Sequence, residues 1–272
     1  MTTATAPALA TRTATSSYRL SLPRLLRSEW IKLATLRSTW WSIGITAILT
    51  IGIALIAAAS LSDVPGFEPI QAVVSPIQFT MLLAGILGVI SVTGEYSTGM
   101  IRSTFTAQPV RGAVLAAKAT VIAIVLFVSS LVIFFVAALA VTPFFADGDM
   151  PFAWDDPAQS TLPILAASIS MAVFALIGVA FGFLIRSGAG AIAATVGLLF
   201  VLPLIASLFS AAGPGWEWIA DVVNHLPMSA AQSAILPQDD WGIPVGEAYA
   251  TLTAWVAAGI LGAWAVLRTR DA

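Results

Sequence analysis

The chain has 272 residues, 58% of them hydrophobic and only 10% charged, against about 25% charged in an average soluble domain. At a mean hydropathy of +0.94, a water-soluble fold of this size cannot hide its apolar surface, so a soluble enzyme and a disordered chain are both disfavoured. The net charge of -2 gives no basic footprint for nucleic acid, and the absence of cysteine excludes disulfides, thiolate metal sites and a cysteine nucleophile.

The composition predicts an integral membrane protein, and the elements follow in chain order. Residues 1–17 are Thr- and Ala-rich with one arginine and no apolar core; they read as a disordered tail, not a secretory signal. Residues 18–38 place Leu22, Leu25, Leu26, Trp30, Leu33 and Leu36 at three- to four-residue spacing, with Arg24, Arg27, Lys32 and Arg37 on other faces. That pattern predicts a basic amphipathic helix lying in the headgroup plane with its cations near anionic lipid, or else only a topology anchor.

Six apolar runs then approach the ~20 residues a helix needs to cross the hydrocarbon. They run over about Trp40–Leu61, Ala72–Thr93, Val114–Val141, Leu162–Ile185, Ala189–Ala211 and Ala248–Leu267. They are too continuous for barrel strands, which alternate every second residue. The expected fold is therefore an all-α integral membrane protein with six transmembrane helices. Span 3 is long enough to tilt or project. The gap at Arg186–Gly188 reads as a tight helical hairpin. In span 4, Gly178 and Gly182 form a small-xxx-small pair that permits close helix contact, or they simply reflect how common glycine is in membrane helices.

The connection between spans 2 and 3, residues 94–111, mixes small, polar and apolar side chains. Here Glu95 or Ser97 starts a short helix by supplying negative character or a cap, and Pro109 ends it. Such a helix presents Tyr96, Met100, Ile101 and Phe105 beyond the membrane surface. The segment 212–247 carries Trp216, Trp218 and Trp241, several prolines and five acids, a set that suits aromatic-belt anchoring.

The charges sort cleanly on this plan. All twelve Lys and Arg residues lie before span 1, between spans 2 and 3 or at the foot of span 3, between spans 4 and 5, or after span 6. The positive-inside rule makes that side the cytoplasm and puts both termini inside. The acids Asp63, Glu68, Asp147, Asp149, Asp155, Asp156, Glu217, Asp221, Asp239, Asp240 and Glu247 fall on the other side.

No ionisable residue sits near the middle of a span. Lys118 is nearest, placed to snorkel to the interface. Ion-coupled carriers place acids, histidines or arginines within the membrane, so their absence counts against a secondary transporter. The one histidine, His225, has no evident metal or base partners. No G-x-S-x-G and no G-x-x-x-x-G-K-[ST] is present, so the chain lacks the parts of a serine hydrolase and cannot cradle nucleotide phosphates by itself. Energy for active transport would have to come from another chain.

Two inner stretches resemble a known family. Ser-Glu-Trp-Ile-Lys-Leu followed by Arg-Ser-Thr-Trp-Trp before span 1, and Gly-Glu-Tyr-Ser-Thr-Gly-Met-Ile-Arg after span 2, resemble the membrane subunits of type 2 ABC (ATP-binding-cassette) exporters, especially actinobacterial ones. The six-span plan with both ends inside matches along nearly the whole chain. The resemblance implies a permease subunit of the cell membrane, with ATP and Mg bound by two partner ATPase subunits and no cofactor in this chain. It implies a cytoplasmic coupling helix carrying Glu95, Tyr96, Ser97, Thr98, Gly99, Met100, Ile101, Arg102 and Phe105. It also implies a connecting helix with Arg24, Arg27, Glu29, Trp30, Lys32 and Arg37, an outer re-entrant segment over 212–247 that Trp216 and Trp218 would suit, and a second permease chain, identical or not, around a pathway lined by spans 2 and 5. The apolar, aromatic-rich spans favour a hydrophobic or amphipathic cargo such as a drug, antibiotic or lipid. Two other readings stay open: a stand-alone six-span secondary transporter, and a non-transporting membrane scaffold or immunity subunit.

Overall fold

A computed structural model describes residues 21–146, 148, 150–210, 217–237 and 242–269. The expected tail at 1–17, Trp216 and Trp241 lie outside them. The described residues form helices and no strands, and six helices are long and apolar enough to cross a membrane. This is the architecture of a multi-pass membrane protein, because helices satisfy their own backbone groups where no water is present.

Helix α1, Leu22–Thr35, opens with Pro23 in its first turn, where the missing N–H costs nothing. It stops at Leu36, whose ψ of 118° is extended. Helix α2, Arg37–Leu61, then starts afresh, so the amphipathic segment is shorter than 18–38 and ends at a sharp elbow. Trp40 Nε1 donates to the Ala34 carbonyl at 2.8 Å and staples the two helices across that elbow.

Span 2 is broken. Helix α3, Pro69–Val74, is opened by a reciprocal Glu68–Gln71 cap, and helix α4, Ile77–Ser97, begins after Pro76. Pro76 cannot donate to the preceding turn, and a periodicity reading that sees only apolar character misses the interruption. Helix α4 also runs past Thr93 to Ser97. Helix α5, Met100–Ala107, is short. Helix α6, Arg111–Val141, has 31 residues, about 46 Å by helical rise, and continues as a 3₁₀ turn over Thr142–Phe145.

Helix α7, Thr161–Ile185, is the hub, packed against α4 and α6. Phe174, Phe183 and Met171 on α7, with Met81 and Leu87 on α4 and Phe134 on α6, are fully buried. Helix α8, Gly188–Val196, follows the expected hairpin. Arg186 caps α7 in the left-handed conformation (φ 59°), and Ser187 caps α8 by accepting from the Gly190 N–H. Span 5 is not one regular helix: a π-turn at Gly197–Val201 joins α8 to helix α9, Leu202–Ser210. Pro203, which has no N–H for the Leu199 carbonyl, accounts for the widened turn.

Two short helices follow, α10 (Glu217–Asn224) and α11 (Pro227–Ile235), before the last crossing helix α12, Val245–Thr269. Helix α11 is buried along nearly its whole length against α7 and α12, so this part of the segment is core rather than an interfacial belt. Trp218 on α10 is exposed. Helices α2, α9 and α12 turn large apolar side chains outward, among them Trp41, Ile48, Leu204, Leu208 and Leu261, a surface suited to lipid and not to water.

The contact between α4 and α7 is set by glycines. A Cβ on Gly178 would run into the Gly85 carbonyl, and one on Gly88 into the Ala175 carbonyl. At Gly182 a Cβ would stand 2.8 Å from Val92 Cβ. The Gly178–Gly182 pair thus lies in the helix–helix seam, and Gly85 and Gly88 are its partners on α4.

Candidate functional site

The cation-bearing segments meet at one end of the bundle. There α1 contributes Glu29 and Lys32, one turn apart; α4 contributes Glu95 from its last turn, α5 contributes Thr104, and α6 contributes Lys118. Lys118 Nζ donates to Glu29 Oε2 at 2.6 Å, to Glu95 Oε1 at 2.7 Å and to the Ser91 carbonyl at 3.3 Å. Lys32 Nζ donates to Glu29 Oε1 at 2.8 Å, to Glu95 Oε1 at 3.1 Å and to Thr104 Oγ1 at 3.3 Å. Glu29, Glu95 and Lys118 are each only 3% exposed.

Two carboxylates against two ammonium groups make a neutral network, which is how charges are carried this deep. Burial pushes the Glu29 carboxyl up, but Lys118 and then Lys32 outweigh it and hold its pKa below the ordinary 4.5. Burial likewise pushes Lys32 down, and Glu29 and Glu95 more than offset it, leaving the ammonium pKa above 10.5. A cavity of about 460 Å³ adjoins the network, walled elsewhere by Leu33, Leu36, Ile90, Val121 and Ile122.

This arrangement corrects three expectations. Lys118 does not snorkel: it lies two turns into α6 and bonds inward, because three acceptors stand within its reach. Glu95 and Ser97 do not start the short helix; they end α4. Gly99, in the left-handed conformation (φ 71°), separates the helices and is the N-cap of α5. Ser97 and Thr98 turn their hydroxyls back to the Gly94 carbonyl. Nor do the four apolar side chains project together. Ile101 is buried, and Tyr96 packs edge-on against Phe183 with Arg186 5.5 Å above its ring. Phe105 lies beneath Arg111, and only Met100 is exposed. The outward face of this segment is Ser97, Thr98, Gly99, Met100, Arg102, Ser103 and Thr106.

The predicted stripe on α1 also rotates. Leu26, Glu29 and Leu33 face the core, while Leu22, Trp30, Arg24 and Arg27 are exposed, as is Arg37 at the start of α2. The buried carboxylate sets that rotation, because Glu29 cannot reach Lys118 from the opposite face. A signal for this network was present in the charge pattern. Glu29 and Glu95 are acids that break the sorting of acids to the other side, and an acid retained among cations marks an ion pair.

At the opposite end, His225 joins the α10–α11 corner to α12. Its Nδ1 lies 2.7 Å from the Asp221 carbonyl and its Nε2 3.0 Å from Glu247 Oε1. Trp255 Nε1 donates to the His225 carbonyl at 2.9 Å. The hydrogen bond to Asp221 and then that to Glu247 raise the imidazole pKa above 6.5. The charged imidazole is thus favoured in the fold, so this contact contributes fully below pH 6.5 and is lost as the pH rises through the raised pKa. His225 is the only histidine of the chain. Its imidazole resonance, followed against pH, should titrate above 6.5 and move back toward 6.5 in Glu247→Gln. Among the described residues no group of three or more His, Asp or Glu side chains gathers to hold a metal ion.

Comparison with known protein families finds no match, and comparison with curated proteins finds no similar one.

Proposed function

We propose that the chain is the membrane permease subunit of a type 2 ABC exporter, driven by ATP hydrolysis in a separate ATPase. The observation that carries this reading is the buried Glu29–Lys32–Glu95–Lys118 network. It ties a surface helix (α1), a short exposed helix (α5) and the ends of two crossing helices (α4 and α6) into one block. A subunit that takes force from outside needs such a block: displacement of α5 moves α4 and α6 together, and α4 carries it to α7 through the glycine seam. Rigid-body switching of a packed bundle by a ligand bound elsewhere is the physical form of this coupling.

The positive-inside rule supports placing the network and both termini on the cytoplasmic side of the cell membrane. In this reading ATP and Mg belong to two ATPase partners, a second permease chain completes the pathway, and the cargo is hydrophobic or amphipathic. The docking face is the exposed part of residues 97–106, and Glu95 and Tyr96 support it from beneath.

The test separates these roles. Arg102→Glu, with Met100→Ser as a milder change, reverses or trims the outward face without touching the network. ATPase stimulation by the permease should fall by tenfold or so for Arg102→Glu, the size of about 1.4 kcal/mol of lost contact, with membrane insertion unchanged. Unaltered stimulation in both variants contradicts the docking role of α5.

A further inference from the structure

The end of the bundle away from the ion-pair network holds a cavity that the proposed transport role does not use. About 26 Å of helical rise separates Gln78, in the first turn of α4, from Glu95 in its last. At the Gln78 end a cavity of about 200 Å³ lies between the α3–α4 break and α11. Three amide side chains line it: Gln71 of α3, Gln78 of α4 and Gln232 of α11. The side-chain oxygen of Gln71 accepts from the Glu68 N–H at 3.3 Å. The amides of Gln78 and Gln232 make no hydrogen bond among the described residues.

These amides are not ordinary surface groups. Every residue of α11 from Pro227 to Ile235 is buried except Gln232, so a helix sunk in the core leaves one side chain out of it, and that one lines the cavity. Gln78 is exposed beside Phe79 within the Pro69–Ser97 crossing segment. An amide that meets only lipid tails goes without hydrogen bonds, and polar groups of crossing helices face a partner, water or a ligand instead. Val74, Ile77, Ile235 and Leu236 supply the apolar part of the wall, and none of the described lining residues is charged.

We infer that this cavity binds an uncharged amphiphile whose head carries hydroxyl or amide groups. A glutamine amide both donates and accepts, so three of them match a head that does both. An ionic head leaving water for this wall meets no opposite charge among the described lining residues. The apolar side chains take the first carbons of the tail, the usual division of labour in a ligand pocket. The site depends on the membrane setting of the helices and not on the ATPase partner.

The chain has no cysteine, so one introduced thiol reports on the site alone. Ser75→Cys keeps all three amides, and Ser75 is both exposed and part of the cavity wall. In the full chain in lipid nanodiscs, a water-soluble maleimide should modify this thiol, and octyl glucoside below its micelle concentration should slow the reaction. Octyltrimethylammonium, whose head neither donates nor accepts, and octyl sulfate, whose head only accepts, should leave the rate unchanged. Gln232→Leu in the same background should raise the octyl glucoside concentration for half-protection about fivefold, the usual size of one hydrogen bond. Thr269→Cys, exposed at the far end of α12, should react equally with and without octyl glucoside. The inference is overturned by a Ser75→Cys thiol that reacts only after unfolding, by no slowing with octyl glucoside, or by equal slowing with all three amphiphiles. Equal slowing at Thr269→Cys, or unchanged half-protection in both Gln232→Leu and Gln78→Leu, overturns it as well.

Discussion

Lys118→Met is expected to destabilise the protein by about 3–5 kcal/mol, the usual cost of removing one partner from a buried ion pair. Among the described residues Lys118 is the only group that bonds both buried carboxylates from the α6 side, and its side chain is 4% exposed. Methionine has similar length and removes the charge, so Glu29 and Glu95 are left with Lys32 alone, and Lys32 is itself partly exposed. The cost comes from stranded carboxylates, not from lost packing. Glu95→Gln added to Lys118→Met should therefore restore most of the stability, since it leaves Glu29 and Lys32 as one balanced pair 2.8 Å apart. The midpoint of heat-induced unfolding in detergent micelles reads both steps. A double variant no more stable than Lys118→Met shows that the lysine acts through shape, not charge.

The second large effect is expected in the glycine seam. Gly88→Ala and Gly178→Ala each place a methyl group into a backbone carbonyl of the facing helix, and backbone cannot rotate away as a side chain can. Each should cost at the upper end of the ~1–3 kcal/mol typical of overpacking, by forcing α4 and α7 apart. Gly52→Ala on α2 is the control: nothing lies within 4 Å of its Cβ position, and alanine improves helix propensity by up to ~1 kcal/mol. Unfolding midpoints should fall for the two seam variants and hold or rise for Gly52→Ala. Equal behaviour of all three would remove the seam from the account.

Much of this fold is legible in the sequence because charge and length are local properties. Trp40–Leu61, Leu162–Ile185 and the hairpin at Arg186–Gly188 can be placed by counting apolar residues between cations, and the helices found differ at their ends by a few residues. Features set by a distant partner are not legible in that way. Lys118 meets Glu29 across 89 residues, so a reading along α6 alone sees only a lysine near an interface. Gly178 is visible as half of a motif, but its partner Gly85 becomes a seam only once α4 and α7 are laid together. The break at Ser75–Pro76 and the π-turn before Pro203 are hidden for another reason. Proline is tolerated in membrane helices, so its presence does not by itself decide between a kink and an end. Residues 94–111 join α4 to α6, and the facing of that stretch is not legible along the sequence, because Gly99 turns the chain and Ile101 goes into the core.

The proposed role is that this chain transmits energy supplied by another. Affinity purification of the tagged full chain from its native membranes, in mild detergent without crosslinker, tests it most directly. That role predicts that a soluble-type ATP-binding chain with a phosphate-binding loop co-purifies in one-to-one ratio with this chain. It also predicts that Arg102→Glu releases that chain while Gly52→Ala retains it. Purification of this chain free of any nucleotide-binding chain, together with gradient-driven flux by the lone protein in liposomes, would contradict it.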